Sequence, residues 1–305
     1  MNEQSRKEPV AMVCYGEVLW DCWPDAIKPG GAPMNVAYHL RKLGVDAAMI
    51  SRVGKDEDGL RLKQLLLDWG FPVEHVGIDD EHPTSRVDLS VGEDNEVSYV
   101  IHEDVAWDHI PLTIANTEMV ENADVLVFGS LAARSEKSWQ TLMSLIEVAK
   151  FRVMDINIRM PFFAIDKLEE LLHQVDLLKL NKAELNQVVD ALDAGVPVEE
   201  DLRVQYLQQR FNIPEVLLTK GSKGAIYYRG AERYFQSAFD IEVKDTVGSG
   251  DSFLAGFLVR RFDGLEHNPQ EVIRFAAAVG AFNTTQEGAC PEYTMQELEA
   301  FFSAR

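Results

Sequence analysis

The chain has 305 residues, and 29 Lys and Arg against 50 Asp and Glu give it a formal net charge of −21 at pH 7. This acidity repels phosphate backbones and anionic headgroups, which argues against nucleic acid and membrane surfaces as partners. No stretch approaches 18 uncharged apolar residues, and Met1–Pro9 lacks the apolar core of a secretion signal. Cys14, Cys22 and Cys290 are few and irregularly spaced, so we predict a reducing, cytoplasmic compartment.

Short apolar runs alternate with amphipathic segments along the chain, and no low-complexity linker divides it. Because most apolar runs are continuous, they indicate strands buried on both faces of a parallel sheet. The predicted strands are Val10–Glu17, Ala48–Gly54, Asp124–Ser130, Arg152–Asn157, Asp176–Asn181 and Glu215–Thr219. The predicted helices are Met34–Leu43, Leu60–Trp69, Trp139–Ala149, Leu202–Phe211 and a C-terminal helix opened by the capping box Thr294–Glu297. This alternation predicts a doubly wound α/β sandwich forming one domain over 1–305.

A hairpin signal interrupts the alternation. Arg86–Val91 and Glu96–Ile101 alternate apolar and polar residues around the turn Gly92–Asn95, which predicts two strands with one wet face. The apolar side is larger than a small exposed hairpin usually shows, and it favours a homodimer formed through this surface. Its members are Val87, Leu89, Val91, Val97, Tyr99 and Ile101.

A second interruption precedes the first helix. Leu19–Pro33 is too long and too rich in Pro and Gly for a tight connection between a strand and a helix. Together with the hairpin it predicts a small β-lid, built from about 18–33 and 84–110, that covers one edge of the main sheet. The alternative is that both segments are surface decoration.

The sharpest local feature is Asp245–Asp251, which reads Asp-Thr-Val-Gly-Ser-Gly-Asp and runs into an apolar helix. Gly248 and Gly250 allow the backbone to turn its N–H groups toward one point, where the helix start adds partial positive charge. An anion can be held there without any net positive charge on the protein. Asp251 beside it suits a base that takes a proton from a hydroxyl attacking phosphorus, as in kinases, although a helix cap is the plainer use.

Other nucleotide-binding motifs are missing. Phe253 stands where a dinucleotide fingerprint needs its third glycine, and no Walker-type loop occurs. A dehydrogenase is therefore a poor interpretation of this chain.

A second glycine-rich segment, Pro29–Asn35, leads into the first predicted helix. Gly30 and Gly31 permit close backbone approach, and Asn35 offers both a donor and an acceptor to sugar hydroxyls, whose unpaired burial costs about 1–3 kcal/mol. The plainer alternative is a Gly-Gly turn with Pro near a helix start. Asp21 could hold a vicinal diol with both oxygens, or it could be an ordinary loop carboxylate.

Three further elements lie near strand ends, where open α/β sheets bind ligands. Asn157 and Arg159 share one side of an extended stretch, and Arg suits phosphate oxygens. Asn181 and Glu184 could orient phosphate and magnesium-bound water, or they could cap a helix. Thr219–Gly224 separates two apolar runs and is also consistent with a hairpin turn.

The joint pattern resembles the ribokinase-like (pfkB-type) carbohydrate kinases, over nearly the whole chain from Gly16 to about Pro291. Four motifs carry the resemblance in the family's order, namely Gly30–Asn35, Asn181–Glu184, Thr219–Gly224 and Asp245–Asp251. The resemblance implies a three-layer α/β/α sandwich with a mostly parallel central sheet and a small β-lid. It also implies ATP-dependent phosphorylation of a sugar hydroxyl.

The resemblance assigns roles residue by residue. Asp251 matches the base, Arg159 offsets charge on the transferred phosphate, and the anion hole is the backbone of Gly248, Ser249 and Gly250. The substrate positions are Asp21, Gly30, Gly31 and Asn35. The ATP positions are Asn181, Glu184, Thr219, Gly221, Gly224, Gly248, Gly250 and, within Ala278–Gly288, Asn283. Glu184 is expected to hold Mg²⁺ through water, and a monovalent cation such as K⁺ matches Asp245 and the carbonyl of Val247.

The substrate expected from the resemblance is D-fructose, phosphorylated by ATP to fructose 6-phosphate. Gly30–Ala37 looks most like fructokinases, and Asp155–Arg159 is similar to fructokinases and 2-keto-3-deoxygluconate kinases. The sequence departs from them with Ile156 where Pro is usual and with Pro161–Phe163 where a Trp often follows. The alternatives are a kinase of 2-keto-3-deoxygluconate, another ketose or ribose, or a sugar- or nucleotide-binding protein without turnover. An acidic substrate needs an extra cation, and Arg86 on the predicted lid is the candidate substrate-binding residue for it.

Overall fold

A computed structural model describes residues 10–91, 97–265 and 267–303, and over them the backbone forms thirteen strands and ten α-helices. The strands are β1 (Ala11–Tyr15), β2 (Leu19–Cys22), β3 (Ile27–Gly30), β4 (Asp46–Gly54), β5 (Val76–Asp79), β6 (Ser85–Val91), β7 (Val97–Ile101), β8 (Val125–Gly129), β9 (Arg152–Asp155), β10 (Leu177–Asn181), β11 (Glu215–Thr219), β12 (Ala225–Arg229) and β13 (Glu232–Gln236). The helices are α1 (Ala32–Lys42), α2 (Glu57–Asp68), α3 (Ile114–Asn122), α4 (Glu136–Val148), α5 (Ile165–Leu172), α6 (Lys182–Leu192), α7 (Glu200–Phe211), α8 (Ser249–Phe262), α9 (Pro269–Thr284) and α10 (Met295–Ser303). The predictions for Met1–Pro9 and for the turn Gly92–Asn95 lie outside the described residues.

The large sheet has the order β13-β12-β11-β10-β9-β8-β1-β4-β5. Its pairs from β11 to β5 are parallel, and β12 and β13 add an antiparallel edge. From β1 the chain builds outward through β4 to β5, then returns to β8 and builds the other way to β11. The strand order therefore reverses beside β1, which is the position where open α/β sheets bind ligands at their carboxyl ends.

Two buried apolar layers cover the two faces of this sheet. Successive side chains of a strand point to opposite faces, so Val13 and Tyr15 belong to one layer while Met12 and Cys14 belong to the other. Helices α3 to α7 contribute to the first layer, and α1, α2 and α8 to α10 contribute to the second. The prediction of a three-layer sandwich with a mostly parallel sheet is confirmed, and burial on both faces explains the continuous apolar runs.

A second sheet, here called the small sheet, has the order β3-β2-β6-β7. It joins the two segments that interrupt the sequence alternation, because β2 pairs in parallel with β6 from Leu19↔Ser85 to Cys22↔Asp88. One apolar face of β6 and β7 packs on the protein's own core, where Val87 is 7% and Ile101 is 9% exposed. Part of the apolar side that favours a homodimer is therefore covered by this chain itself.

Several elements escaped the sequence pattern. Helix α9 is apolar around most of its circumference, with ten buried residues, so it lacks the one-sided stripe that marks an amphipathic helix. Strands β12 and β13 follow the turn after Thr219, and the hairpin interpretation of Thr219–Gly224 is confirmed by the antiparallel pairing Thr219↔Ala225. No helix within the described ranges is long and apolar enough to cross a membrane.

Candidate functional site

Most of the predicted site residues gather at the carboxyl edge of the large sheet. Asp155 is the last residue of β9, Asn181 the last of β10 and Thr219 the last of β11. Just past β1, the chain passes through Glu17 into β2, which carries Asp21. Because parallel strands place their carboxyl ends on one side, residues far apart in sequence meet there, facing the start of α8.

The start of α8 forms the predicted anion nest, defined here as the backbone of Gly248, Ser249 and Gly250. Gly248 has a φ of 72°, a left-handed conformation that side chains disfavour, and a Cβ placed on it would lie 2.7 Å from the Cα of Ala289. The first N–H groups of a helix have no partners within the helix and carry its positive partial charge. The nest therefore presents donors to an anion in front of α8.

The loop before the nest is held by polar contacts. The Asp245 carboxylate accepts hydrogen bonds from the backbone N–H of Val247 at 3.0 Å and of Gly288 at 2.9 Å. The Asn283 amide donates to the carbonyl of Val247 at 2.9 Å, and its own buried Oδ1 has no partner among the described residues. These contacts tie the loop before α8 to Gly288 and to Asn283 of α9.

Asp251 lies in the first turn of α8, half-buried beside the nest. Its Oδ2 accepts a hydrogen bond of 2.8 Å from the Asn35 side chain, which joins the two glycine-rich segments of the sequence. Burial raises the pKa of Asp251 to about 6, with Lys179 opposing the rise and Asp155 adding to it. A carboxylate with this pKa is largely ionised at neutral pH and still accepts a proton readily.

Two more carboxylates stand on the same side as Asn35. The Asp21 carboxylate packs against the α-carbon of Gly30, where any side chain would collide with it. Burial raises the pKa of Asp21 to about 6 and that of Glu17 to about 7, with Arg159 lowering both and Asp251 raising both. Glu17 is 2% exposed, and its Oε2 has no partner among the described residues. These residues share one electrostatic neighbourhood, here called the acceptor side.

A buried ion pair links strands β9 and β10 behind the nest. Lys179 donates to Asp155, its partner in strand register, and both side chains are 7% exposed. The Lys179 Nζ lies 3.3 Å from where a Cβ on Gly250 would stand, so the ammonium faces the nest. Burial alone would lower the pKa of Lys179, but Asp155 and Asp251 raise it. The lysine is therefore a fixed positive charge beside the nest.

Sequence reasoning missed Lys179, Asp155 and Glu17 as functional residues. A signal for Lys179 was present, because a lysine inside the apolar run Leu177–Leu180 of a strand buried on both faces needs a partner. For Glu17 the signal was its position in the short connection between β1 and β2, the strand that carries Asp21.

A cavity of about 720 Å³ opens on the other side of the nest. This volume is typical of a pocket for a ligand of nucleotide size. The predicted ATP residues that line it are Asn181, Thr219, Gly221, Gly224 and Gly250. Its remaining lining comes largely from 238–243 and from the α9 residues Ala277, Gly280, Ala281 and Thr284. Asn283, also predicted to contact ATP, does not line the cavity. Its side chain is buried and donates a hydrogen bond to the carbonyl of Val247, and its neighbours on α9 line the cavity instead.

Glu184 acts locally as a helix cap. Its two oxygens accept the backbone N–H groups of Asn181 at 2.8 Å and Ile158 at 3.1 Å, while Asn181 Oδ1 accepts the N–H of Glu184 at 3.0 Å. Burial raises the pKa of Glu184, and Asp155 adds to the rise. The residues that form this cap are the ones predicted to orient phosphate and magnesium-bound water. The two roles are compatible, because each carboxylate oxygen of Glu184 keeps a lone pair for a water molecule.

Arg86 lies away from the acceptor side. Its guanidinium pairs with Asp58, with Nε donating to Oδ2 at 2.6 Å. The register pairs Arg86 with Trp20 and Val87 with Asp21, so Arg86 and Asp21 point to opposite faces of the small sheet. The expectation that Arg86 supplies a cation to the substrate is therefore not supported by its position.

Comparisons with known proteins place this geometry among sugar kinases. The model of the pfkB family carbohydrate kinases matches residues 13–294. "Probable fructokinase-5" of Arabidopsis thaliana is 28% identical over 92% of this chain and 93% of its own length, and "Probable fructokinase-4" of the same plant is 30% identical over 94% of each. A fructokinase double mutant from Vibrio cholerae, solved with fructose, ADP and potassium bound, is 24% identical and aligns with a TM-score of 0.82 over 97% of this chain and all of that one.

Proposed function

The chain belongs to the pfkB family of carbohydrate kinases, and from this premise we propose that it transfers the γ-phosphoryl group of ATP to the 6-hydroxyl of D-fructose. One observation carries the proposal: Asp251 stands between the acceptor side and the anion nest, hydrogen-bonded to Asn35, with the large cavity beyond the nest. The curated relatives at 28–30% identity are named fructokinases, which supports fructose as the acceptor.

Asp251 is the base in this reaction. Its Oδ2 is held by Asn35, which leaves Oδ1 to accept the proton of the sugar hydroxyl. The sugar oxygen forms its bond to the γ-phosphorus while the bond from that phosphorus to the bridging oxygen of ADP breaks, and the proton passes to Asp251. A pKa of about 6 favours this transfer near neutral pH.

The nest and two cations stabilise the charge that develops on the transferred group. The start of α8 supplies backbone N–H donors and partial positive charge, and Lys179 and Arg159 add positive charge near Asp251. This local arrangement works against the net charge of −21 of the chain.

The oxygen-rich donor set fits the ions that such a reaction uses. Both oxygens of Glu184 accept hydrogen bonds from backbone N–H groups, so this side chain would bind Mg²⁺ through a water molecule. Mg²⁺ is a hard cation that keeps much of its hydration shell, which suits such indirect binding. Bound Mg²⁺ supplies neutralisation of phosphate charge. The Asp245 carboxylate, the Val247 carbonyl and the unpartnered Asn283 Oδ1 fit a monovalent cation such as K⁺ behind the nest.

A neutral acceptor suits this site better than an acidic one. Glu17 and Asp21 place two carboxylates on the acceptor side, and Arg86 is engaged by Asp58 on the other face of the small sheet. A carboxylate substrate such as 2-keto-3-deoxygluconate would add a third acidic group beside these two, and among the described residues Arg159 is the cation that lowers the pKa of both. These positions support fructose over the acidic alternative.

The test is ADP release with D-fructose, ribose, 2-keto-3-deoxygluconate and adenosine offered separately, each with an Asp251→Asn control. Turnover with fructose that the substitution abolishes is the expected result. Turnover with another sugar would keep the mechanism and refute the proposed specificity. Binding of a sugar seen by thermal shift, with no ADP from any of the four, would favour a binding protein without turnover.

Assembly and compartment complete the proposal. We propose a cytoplasmic homodimer formed through the small sheet, whose edge strand β7 exposes 41% of Tyr99 and 61% of Val100. Cys14, Cys22 and Cys290 are free thiols, which agrees with a reducing compartment. Light scattering is expected to give twice 34.3 kDa, and a particle of 34.3 kDa would contradict the dimer.

A further inference from the structure

Three potential metal ligands meet away from the site described above, at the base of the small sheet. His82 lies on the connection from β5 to β6, and Asp104 and His109 lie on the segment that follows β7. The Asp104 Oδ1 is 2.9 Å from His109 Nε2 and 3.6 Å from His82 Nε2, and the three ligand atoms all lie within 4.8 Å of one another. We call these three residues the hinge cluster.

A carboxylate behind His82 sets which nitrogen of that ring is free. His82 Nδ1 lies 3.1 Å from Asp79 Oδ2, and because a carboxylate only accepts, Nδ1 carries the proton of that hydrogen bond. The neutral ring then presents its lone pair on Nε2, toward Asp104. Asp79 is itself 2% exposed and held by Arg52 at 2.9 Å. A carboxylate that orients a histidine in this way is typical of the surroundings of metal-bound imidazoles.

We propose that His82, Asp104 and His109 bind one Zn²⁺ ion, with water as the fourth ligand, and that this ion ties the segment before β6 to the segment after β7. Two imidazoles and one carboxylate are a ligand set that Zn²⁺ uses, whereas Mg²⁺ and Ca²⁺ prefer oxygen ligands throughout. The inference does not depend on the proposed kinase reaction.

Tetrahedral coordination at about 2.0–2.2 Å requires all three side chains to reorient around the ion. The two imidazole rings are stacked, with centroids 3.6 Å apart and planes inclined by 15°, so they must turn out of the stack to aim both lone pairs at one ion. Asp104 is 79% exposed on its side chain and can follow them. The proton that His109 shares with Asp104 moves to its Nδ1 when Nε2 takes the metal.

The position of the hinge cluster gives the ion a structural consequence. One ligand is on the segment between β5 and β6, and the other two are on the segment that follows β7. An ion bound to all three links these segments and restricts their separation. It stabilises the folded state by mass action, since the three ligands are brought together only by the fold.

The test is titration of the whole protein, free of nucleotide, with Zn²⁺ by calorimetry and with Co²⁺ by visible absorption. The variants are Asp104→Asn and His109→Gln; Asn suits position 104 because Asp104 has a φ of 55°, which Asn also adopts. The matched control is His102→Gln, which removes a half-exposed histidine paired with Asp88 outside the cluster.

We expect one Zn²⁺ per chain, binding weakened at least about tenfold in both cluster variants, and unchanged binding in the control. We also expect Zn²⁺ to raise the melting temperature of the wild type and of His102→Gln more than that of the cluster variants, and tetrahedral Co²⁺ bands to vanish with Asp104→Asn. The same Zn²⁺ affinity in all four proteins would overturn the inference, as would the absence of binding at millimolar Zn²⁺. Circular dichroism of each variant separates loss of ligand from loss of fold.

Discussion

At the scale of single residues, the site depends on charged groups whose partners set their protonation. Asp251 has Asn35 on one oxygen, Lys179 behind it and Asp155 beyond the lysine. A base needs a pKa near the working pH, and burial moves the carboxyl from its ordinary value to about 6. The same burial costs stability, since an ionised carboxylate prefers water.

The pH dependence of turnover follows from this pKa. Asp251 must be ionised to accept a proton, so kcat/KM is expected to fall as the pH drops through about 6 and to level off above it. Asn35→Ala removes a hydrogen bond that favours the ionised form and is expected to move the acid limb to higher pH. Steady-state rates from pH 5 to 8 give the acid limb of the wild type and of Asn35→Ala. If the limb is at the same pH in both proteins, the group that titrates there is not Asp251.

Lys179 has a separate expected role. Lys179→Met removes the cation facing the nest, and we expect kcat to fall by about 10²-fold, as when one donor to a developing oxyanion is lost. Because the change leaves Asp155 buried without its partner, Lys179→Met/Asp155→Asn is measured alongside it. The control is Lys182→Met, a lysine three residues on that is 52% exposed and paired with Glu200. An equal kcat in the wild type and in Lys179→Met/Asp155→Asn would rule out a catalytic contribution from Lys179.

At the scale of elements, the first turns of three helices position several of the candidate site residues. Helix α8 presents its first turn as the nest, α1 carries Asn35 in its first turn, and α6 begins with the capping box of Asn181 and Glu184. Each start is next to a strand end at the same sheet edge, so donors and carboxylates are held on rigid elements. The helix-cap interpretation of Asn181 and Glu184 is confirmed, and Asn181 also lines the large cavity.

The start of α8 yields a prediction about backbone conformation. Gly248→Ala places a Cβ at a φ of 72° and against Ala289, and is expected to destabilise the fold by about 1–3 kcal/mol and to lower kcat by disturbing the nest. Gly44→Ala is the control, because Gly44 has a φ of 85° with nothing within 4 Å of its Cβ position. Chemical denaturation gives both free energies; a cost no larger than that of the control would show that contact with Ala289 is unimportant.

At the scale of the whole molecule, a strongly acidic chain places Lys179 and Arg159 near Asp251, at the carboxyl edge of the large sheet. The small sheet packs Val87 and Ile101 on the main core and carries Asp21 to the acceptor side. His39, on α1, contacts the C-terminal segment through both ring nitrogens. Its Nε2 lies 2.8 Å from the carbonyl oxygen of Ala289, and its Nδ1 lies 3.1 Å from the hydroxyl of Tyr293. The fold therefore couples global stability to buried titratable groups.

His39 gives the stability a defined pH dependence. Burial lowers its pKa to about 4, so as the pH falls below 6.5 the unfolded chain takes up a proton that the folded chain refuses. Its contribution to the free energy of unfolding is expected to drop by about 2 kcal/mol between pH 7 and pH 5. The raised pKa values of Glu17, Asp21 and Asp251 act in the opposite sense, because the folded state protonates first. Denaturation of the wild type and His39→Gln at both pH values isolates the histidine, and parallel pH dependences would refute its role.

The sequence by itself determined the features that contiguous residues create. An anion nest needs only two glycines, a helix start and an aspartate within a few positions, so Asp245–Asp251 specified it without knowledge of any partner. The sandwich was predictable for a similar reason, because burial on both faces of a parallel sheet leaves continuous apolar runs. The order of four such local motifs then indicated the family, which the match over residues 13–294 confirms.

Only the tertiary structure decided which distant side chains meet. Asn35 and Asp251 are 216 positions apart, and Arg86 pairs with Asp58 across 28 positions, which directs it away from the substrate. A charged or apolar side chain acquires its function from its partner, and that partner is chosen by strand order and register. This is why the sequence could show that Lys179 needs a partner, whereas only the assembled sheet identifies that partner as Asp155 on the neighbouring strand.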